Sequence, residues 1–188
     1  MENLTVKTAV TGLLAEKCYV LSLPDRNDCL VIDPGANPER ILAAAEGKRI
    51  AAILLTHGHF DHIGAVAALA ADGAEILIHE VDAEMPGNAR LNAGWMIGRN
   101  ITAPAPTRTF RDGETLTLAG ITLRVIHTPG HTPGSCCFET GGLLFSGDTV
   151  MDGGIGRTDL PGGDEAAMQD SLRKLAPLLR THRVLGGH

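Results

Sequence analysis

The sequence has few aromatic residues and no run of basic residues. Aromatic side chains make up 3% of the 188 residues, with one tryptophan and one tyrosine, so it lacks the stacking platforms of single-strand binders. The formal net charge is −6, and the lysines and arginines are not clustered. Because phosphate backbones and anionic lipids attract basic surfaces, we expect neither nucleic acid nor a membrane as a partner.

Long apolar stretches and thiolate metal motifs are missing as well. No apolar run approaches the roughly 20 residues of a membrane-spanning helix, and residues 1–20 do not show the pattern of a signal peptide. The cysteines lack the C-x-x-C spacing of zinc sites, and the adjacent pair Cys136 and Cys137 would form a strained bridge. We therefore expect a cytoplasmic protein whose cysteines are buried and reduced.

The length and the first half of the chain predict one compact α/β unit. A chain of 188 residues that is 44% hydrophobic is too short for two ordinary domains, so we expect a single domain over residues 1–188. In the first half, apolar runs predict strands at 28–32, 49–55 and 75–79. Helices are predicted between them at 38–46, capped by Asn37, and at 63–71.

The second half is richer in strands. Short apolar runs separated by glycine-containing turns predict an antiparallel meander, with strands at 107–110, 115–118, 121–126, 135–138 and 143–145. A helix at 165–179, capped by Asp164, and a last strand at 183–185 follow. Glycines and prolines interrupt residues 85–106, which predicts either a wall of the functional site or a loosely packed connector.

The segment with the most chemistry is Thr-His-Gly-His-Phe-Asp-His at residues 56–62, directly after the apolar run 51–55. On an extended backbone, side chains two residues apart share a face, so His57 and His59 can converge on one point. Asp61 and His62 open the next helix and can address a second point nearby. Histidines clustered with a carboxylate are typical ligands of hydrolytic metal ions, so the segment predicts a metal site.

Three further predicted strand ends carry ligand-type residues. His131 lies in a turn of prolines and glycines at residues 127–134, Asp148 follows the strand at 143–145, and His188 follows the last strand. We leave His79 and His127 out of the metal site because lone histidines are more often structural. His182 lies in a polar turn, where we expect it to meet solvent.

Four motifs together resemble those of the metallo-β-lactamase-fold hydrolases: Thr-His-x-His-x-Asp-His at 56–62, Thr-Pro-Gly-His-Thr-Pro-Gly-Ser at 128–135, Ser-Gly-Asp at 146–148, and the final Gly-His. Within this group the chain most resembles the short glyoxalase II-like members, which are hydroxyacylglutathione hydrolase-like thioesterases. The resemblance implies an α/β fold (α+β in some schemes), a four-layered αβ/βα sandwich with the site at one edge.

The resemblance also implies how the ligands are divided. His57, His59 and His131 would hold one metal ion, Asp61, His62 and His188 would hold the other, and Asp148 would bridge both. The implied cofactors are two divalent metal ions. We expect zinc, although nitrogen and oxygen donors also suit iron and manganese. The printed sequence ends at His188, and chain termini fray unless they are tied down, so we expect this to be the least secure ligand.

The implied activity is hydrolysis of a small acyl thioester, such as S-lactoylglutathione, by a hydroxide that bridges the two metals. Asp61 and Asp148 would act as catalytic residues that orient this hydroxide. Arg157 is a candidate for binding a substrate carboxylate such as that of glutathione, and an internal ion pair with Asp159 is the alternative. The sequence leaves the oligomeric state and the thiol carrier open.

Two other functions stay open. The segment Gly-Arg-Thr-Asp at 156–159 resembles the persulfide dioxygenases, which use one iron held by the equivalents of His57, His59 and Asp148 or His131. The second alternative is a non-catalytic metal-binding scaffold, although such a protein would not need the complete set of ligands. The flavo-diiron relatives have a glutamate at the position of His59, and true metallo-β-lactamases lack an aspartate at the position of Asp148, so oxygen reduction and antibiotic hydrolysis are disfavoured.

Overall fold

A computed structural model describes residues 4–188 of the protein, so the first three residues of the predicted domain lie outside it. The strands are β1 (Thr5–Thr11), β2 (Glu16–Ser22), β3 (Asp28–Ile32), β4 (Arg49–Leu54), β5 (Glu75–His79), β6 (Arg108–Phe110), β7 (Thr115–Leu118), β8 (Ile121–His127), β9 (Cys136–Thr140), β10 (Leu143–Gly147) and β11 (Arg183–Gly186). The helices are α1 (Pro38–Ala45), α2 (Phe60–Ile63), α3 (Val66–Leu69) and α4 (Glu165–Leu179). Short 3₁₀ segments occupy Glu80–Asp82 and Gly94–Ile97.

The strands form two sheets. The first has the order β1-β2-β3-β4-β5-β6, antiparallel from β1 to β3 and parallel from β3 to β6. The second has the order β11-β10-β9-β8-β7, in which β7 to β10 are antiparallel and β11 runs parallel to β10. Parallel neighbours end at the same edge of a sheet, so the loops after β3, β4 and β5 lie side by side.

The sheets pack face to face, and the helices cover their outer faces. Between the sheets, Leu54 and Leu77 of the first sheet pack with Phe138 and Phe145 of the second, and each such buried side chain contributes about 1.5–3 kcal/mol. Helices α1 to α3 cover the outer face of the first sheet, and α4 covers that of the second through Leu175. These four layers confirm the predicted α/β sandwich.

One predicted strand lies in the other sheet. The sequence predicts residues 107–110 as the first strand of the antiparallel meander, whereas β6 pairs in parallel with β5. The amide of Thr107 donates to the Ile76 carbonyl at 2.9 Å, and its hydroxyl accepts from the Ile76 amide, also at 2.9 Å. These bonds dock β6 on the edge of the first sheet, so the prediction is wrong for this strand; the meander begins at β7.

The predicted helix at 63–71 is wrong because a tertiary contact divides it. The structure has α2 and α3 instead, and the amide of Ala65, between them, donates to the Pro34 carbonyl at 2.9 Å. A Cβ on Gly35 would lie 1.7 Å from the carbonyl oxygen of Asp61, so only glycine permits this close approach. Helix α2 also begins earlier than predicted, which places Asp61 and His62 within it.

The two predicted helix caps have different outcomes. Asp164 accepts from the amide of Ala167 at 2.9 Å and caps α4 as predicted. Asn37 precedes α1 but has a φ of 51° and makes no side-chain capping bond. Its side-chain oxygen accepts from the amide of Gly12 at 3.1 Å, in the turn between β1 and β2. Asn37 therefore occupies the predicted cap position, but its side chain does not cap the helix.

Two further features agree with the composition. Within residues 4–188, no helix is long and apolar enough to cross a membrane. All four cysteines are buried and unbridged, and Cys136 and Cys137 pack in different clusters, one between the sheets and one beneath α4. Adjacent residues of a strand point to opposite faces, which keeps these two thiols apart.

The burial of the thiols predicts low reactivity. Burial raises the pKa of Cys29 and of Cys137 to about 11, and the thiolate is the reactive species. At pH 8 we expect no rapid reaction of the native protein with a thiol reagent such as dithionitrobenzoate, and reaction of all four thiols in guanidinium chloride. An Ala43→Cys variant, with an exposed thiol on α1, serves as the positive control. Rapid labelling of the native wild-type protein would contradict the burial.

Candidate metal centre

The predicted site residues meet at one edge of the sandwich. His57 and His59 follow β4, His131 follows β8, Asp148 follows β10 and His188 follows β11. Because β10 and β11 are parallel, the last two residues leave the second sheet at the same edge. The amide of Cys136 donates to the Thr56 carbonyl at 2.9 Å, and this bond joins the two sheets beside the histidine segment.

His57, His59 and His131 form the first group of ligand-type side chains. Each offers one nitrogen, and these nitrogens lie within 4.8 Å of one another. Nδ1 of His59 is 2.8 Å from Nε2 of His131. All three residues are at most 3% exposed. This arrangement is the convergence that the alternation of side chains along a strand predicts for His57 and His59.

Asp61, His62 and His188 form the second group, again with ligand atoms within 4.8 Å of one another. Nε2 of His188 is 3.3 Å from Oδ2 of Asp61, and Nε2 of His62 is 3.9 Å from the same oxygen. Asp61 and His62 address this second point because both project from the short helix α2, where the backbone has turned away from the direction of β4.

Asp148 lies between the two groups. Its Oδ1 is 3.3 Å from Nε2 of His62, and its Oδ2 is 3.4 Å from Nε2 of His131 and 3.6 Å from Nε2 of His188. Ligand atoms at 2.0–2.1 Å from a tetrahedral zinc ion lie about 3.3 Å apart. The spacing therefore matches that of ligands around metal ions, and Asp148 is placed to contact an ion in either group.

The buried polar atoms of the site fit divalent cations. Within the described residues, Nε2 of His57, Nε2 of His62 and Oδ1 of Asp148 have no hydrogen-bond partner, although such burial costs about 1–3 kcal/mol for each unpaired group. Burial, and next the neighbouring His131, lowers the pKa of His59 to about 3, so its ring is neutral and offers a lone pair. Cations bound at the two groups would satisfy these atoms.

Asp33, which the sequence motifs did not identify, positions two of the histidines. Its Oδ1 accepts from the amide of Thr56 at 2.7 Å and its Oδ2 from the Thr56 hydroxyl at 2.6 Å. Nδ1 of His62 is 3.1 Å from the same Oδ2, and Nδ1 of His57 is 3.0 Å from the Thr56 hydroxyl. One carboxylate thus turns Nε2 of both rings toward the site. Asp33 directly follows β3, and this strand-end position was the available signal.

Asp82, also missed, ties the His131 loop to the 3₁₀ segment after β5. Its carboxylate accepts from the Thr132 hydroxyl at 2.6 Å and from the Gly134 amide at 2.7 Å. Nδ1 of His131 donates to the carbonyl of Arg157 at 2.7 Å, which leaves Nε2 facing Asp148. The prolines and glycines of this loop predict a rigid turn, but no local pattern identifies the distant acceptor.

The segment that ends at His188 is held by β2 and the turn before it. The amide of Lys17 donates to the Gly187 carbonyl at 2.7 Å, and the Lys17 ammonium donates to the His188 carbonyl at 2.9 Å. Nδ1 of His188 donates to the carbonyl of Leu14 at 3.0 Å. Nε2 of the ring therefore faces Asp61, as the division of ligands implied by the family resemblance requires.

The other histidines lie outside these groups. His79 and His127 stack on each other, with ring centroids 4.1 Å apart and planes 5° apart, which agrees with leaving them out of the site. Nε2 of His182 is 3.1 Å from Oε1 of Glu139, and the His182 side chain is only 14% exposed. The expectation that His182 meets solvent is wrong, because it packs against the acidic side chain on β9.

A cleft of about 500 Å³ opens over the two groups. Its polar floor is formed by His59, Asp61, His131, Asp148 and His188. Apolar side chains form the walls, including Met96 and Ile97 of the irregular segment 85–106, so this segment is part of the cleft wall. Arg157 also lines the cleft, and Nε and Nη2 of its guanidinium pair with Asp159 at 2.6 and 2.7 Å.

The chain is similar to several known proteins. Residues 11–188 match the Metallo-beta-lactamase superfamily. The hydroxyacylglutathione hydrolase GloC of Haemophilus influenzae is 38% identical over 172 residues, which cover 87% of this chain and 81% of GloC. The BLEG-1 B3 metallo-beta-lactamase superposes with a TM-score of 0.90 at 35% identity, over 98% of this chain and 91% of that one. TTHA1623, solved in a di-iron-bound form, gives a TM-score of 0.86 at 38% identity, over 97% and 92%.

The contacts of Asp33 predict an effect on metal affinity. We expect Asp33→Asn to weaken zinc binding about 10- to 100-fold, because an amide cannot replace both acceptor bonds that orient His57 and His62. Competition with a chromophoric chelator measures the affinity. Asp72→Asn, an exposed site after α3, is the matched control and should bind zinc like the wild type. Unchanged affinity in Asp33→Asn would contradict the positioning role.

Proposed function

The chain belongs to the metallo-beta-lactamase superfamily of metal-dependent hydrolases, and we propose that it hydrolyses small acyl thioesters. The observation that carries this proposal is the arrangement of seven ligand-type side chains around two adjacent points, with Asp148 between them. The similarity to GloC, which is named a hydroxyacylglutathione hydrolase, over 81% of its length supports the thioester as the substrate class.

The grouping of the side chains supports the proposed ligand division. His57, His59 and His131 would hold one ion, Asp61, His62 and His188 would hold the second, and Asp148 lies between the two groups. Two divalent ions, zinc in the first place, lower the pKa of a shared water toward about 7 and polarise the carbonyl group of the substrate when they are bound. Iron and manganese suit the same nitrogen and oxygen donors, and a relative solved in a di-iron-bound form supports iron as an alternative.

The described residues that line the cleft supply carboxylates and imidazoles, which are potential metal ligands, but no hydroxyl, thiol or amine nucleophile. The lining residues of the cleft within the described part of the chain include no serine, threonine, cysteine or lysine. The proposed reaction is therefore direct attack of water on the thioester carbonyl, with cleavage of the carbon–sulfur bond to give a carboxylate and a thiol. Asp61 and Asp148 accept hydrogen bonds from the attacking water and orient it toward the carbonyl carbon.

Arg157 is proposed to bind an anionic group of the substrate. Its Nη1 is outside the two bonds to Asp159, and its side chain is 52% exposed at the cleft. The pair with Asp159 agrees with the alternative raised from the sequence, and it also holds the guanidinium in a defined orientation. A carboxylate that enters the cleft can therefore reach a pre-oriented donor.

Hydrolysis of S-lactoylglutathione tests the proposed function. We expect the zinc-loaded protein to bind two metal equivalents and to cleave this thioester, and we expect Asp148→Ala to reduce kcat at least 100-fold because the water loses its orientation. Asp25→Ala, at an exposed turn, should keep wild-type turnover. Near-normal turnover of Asp148→Ala at full metal content would contradict the mechanism.

Parallel assays separate the competing functions. Oxygen uptake with glutathione persulfide and one bound iron would favour the dioxygenase, and cleavage of a β-lactam in preference to thioesters would favour the activity named for the BLEG-1 relative. Metal binding with no activity toward any of these substrates would favour the scaffold. Each of these results would contradict thioester hydrolysis as the function of the protein.

The role of Arg157 has its own test. For a glutathione thioester we expect Arg157→Ala to raise KM about fivefold with little change in kcat, since an exposed ionic contact is worth at most about 1 kcal/mol. Arg173→Ala on α4, which removes an arginine from another exposed aspartate pair, is the matched control and should leave KM unchanged. An unchanged KM in Arg157→Ala would remove it from substrate binding.

A further inference from the structure

A second, smaller cavity of about 120 Å³ lies beside the metal centre. We call it the side chamber and define it by its apolar lining residues, which are Leu13, Leu14, Ala36, Phe60, Ile97 and Ile101. Leu14, Phe60, Asp61 and Ile97 line both the side chamber and the cleft. The two cavities therefore adjoin beside Asp61, one of the proposed ligands.

The charged side chains that line the side chamber differ in burial: the acidic Glu16 is buried, and the basic Arg99 is exposed. Glu16 is 1% exposed, and its Oε2 accepts from the Thr11 hydroxyl at 2.5 Å. Arg99 is exposed, and it is the one basic residue among the described residues that line the chamber. An anionic group that entered the chamber would lose its hydration without a buried positive charge nearby, and would lie close to the carboxyl groups of Glu16 and Asp61; such burial is costly.

We propose that the side chamber binds the acyl group of the substrate and selects apolar acyl groups over anionic ones, an inference that rests on the proposed thioester hydrolysis. With the thioester carbonyl over Asp61, the acyl chain enters the chamber and the thiol leaves along the cleft. A dry cavity of roughly 150 Å³ holds the six carbons of benzene, so this chamber of about 120 Å³ accommodates about five carbons, which is the chain of a hexanoyl group beyond its carbonyl carbon. The bound chain also covers Leu14 and Ile97, which are 52% and 37% exposed.

A series of thioesters of one thiol, N-acetylcysteamine, tests the selection. Each buried methylene contributes about fourfold to binding, so we expect kcat/KM to rise at least about tenfold from the acetyl to the hexanoyl thioester. The succinyl thioester has the length of the butyryl thioester but a charged end, and we expect it to be the poorer substrate of the two. A flat series, or a preference for succinyl because Arg99 recognises its carboxylate, would overturn the proposal.

A variant that fills the chamber tests whether the dependence of kcat/KM on acyl length arises there. Ala36→Leu places a larger side chain in the chamber, and we expect it to reduce the ratio of hexanoyl to acetyl kcat/KM toward one. Ala43→Leu makes the same change at an exposed position of α1 and should keep the wild-type ratio. If Ala36→Leu does not fold, Ile97→Ala at the cleft surface replaces it and should also lower the ratio. An unchanged ratio in a folded chamber variant would contradict the assignment.

A binding measurement distinguishes this inference from the proposed function. Hexanamide carries the acyl group without a thioester, and we expect ligand-observed NMR to detect its binding to the metal-free wild-type protein but not to Ala36→Leu. Acetamide should bind neither protein. Hexanamide binding without thioesterase activity would contradict the proposed function alone, whereas thioester hydrolysis without hexanamide binding would contradict the side chamber alone.

Discussion

The carboxylate of Asp33 is the contact on which the centre depends most. It lies just after β3, accepts from both the amide and the hydroxyl of Thr56 after β4, and faces Nδ1 of His62 on α2. Through Thr56 it also orients His57. Two parallel strands and the helix that follows are thus joined through one buried side chain. Without it, the imidazoles would keep their positions in the sequence but lose the shared direction of their Nε2 atoms.

The fold supplies what such a buried polar cluster requires. Grouping imidazoles and carboxylates at one edge is unfavourable unless hydrogen bonds or cations satisfy them. The apolar layers between the sheets and beneath the helices supply the stability that offsets this cost. Asp82 and the carbonyl of Arg157 position the His131 loop, and Lys17 and Leu14 hold His188. Each ligand-bearing segment is therefore tied to a neighbour distant in the chain.

Local sequence patterns predicted most elements where the signal was a long apolar run or a side-chain cap. Strand β5 and helix α4 have their predicted bounds, and Asp164 caps α4. The predictions that are wrong are those in which a distant group competes for a hydrogen bond. The Pro34 carbonyl accepts from the amide of Ala65, which divides the predicted helix. The backbone of Ile76 bonds to Thr107, which places β6 in the first sheet. No local window contains these partners.

The sequence by itself determined the chemistry available: the ligand-type residues, their place at strand ends, and the family motifs that relate them. It determined these because side-chain alternation along strands and turn-forming residues are local properties. The place of Asp148 between the two groups was implied by the family motifs, and the structure agrees with it. Only the tertiary structure decided that Asp33 and Asp82 support the groups and that a side chamber adjoins Asp61. These features depend on the packing of two sheets, which brings together groups as far apart in the chain as Lys17 and His188, 171 residues from each other.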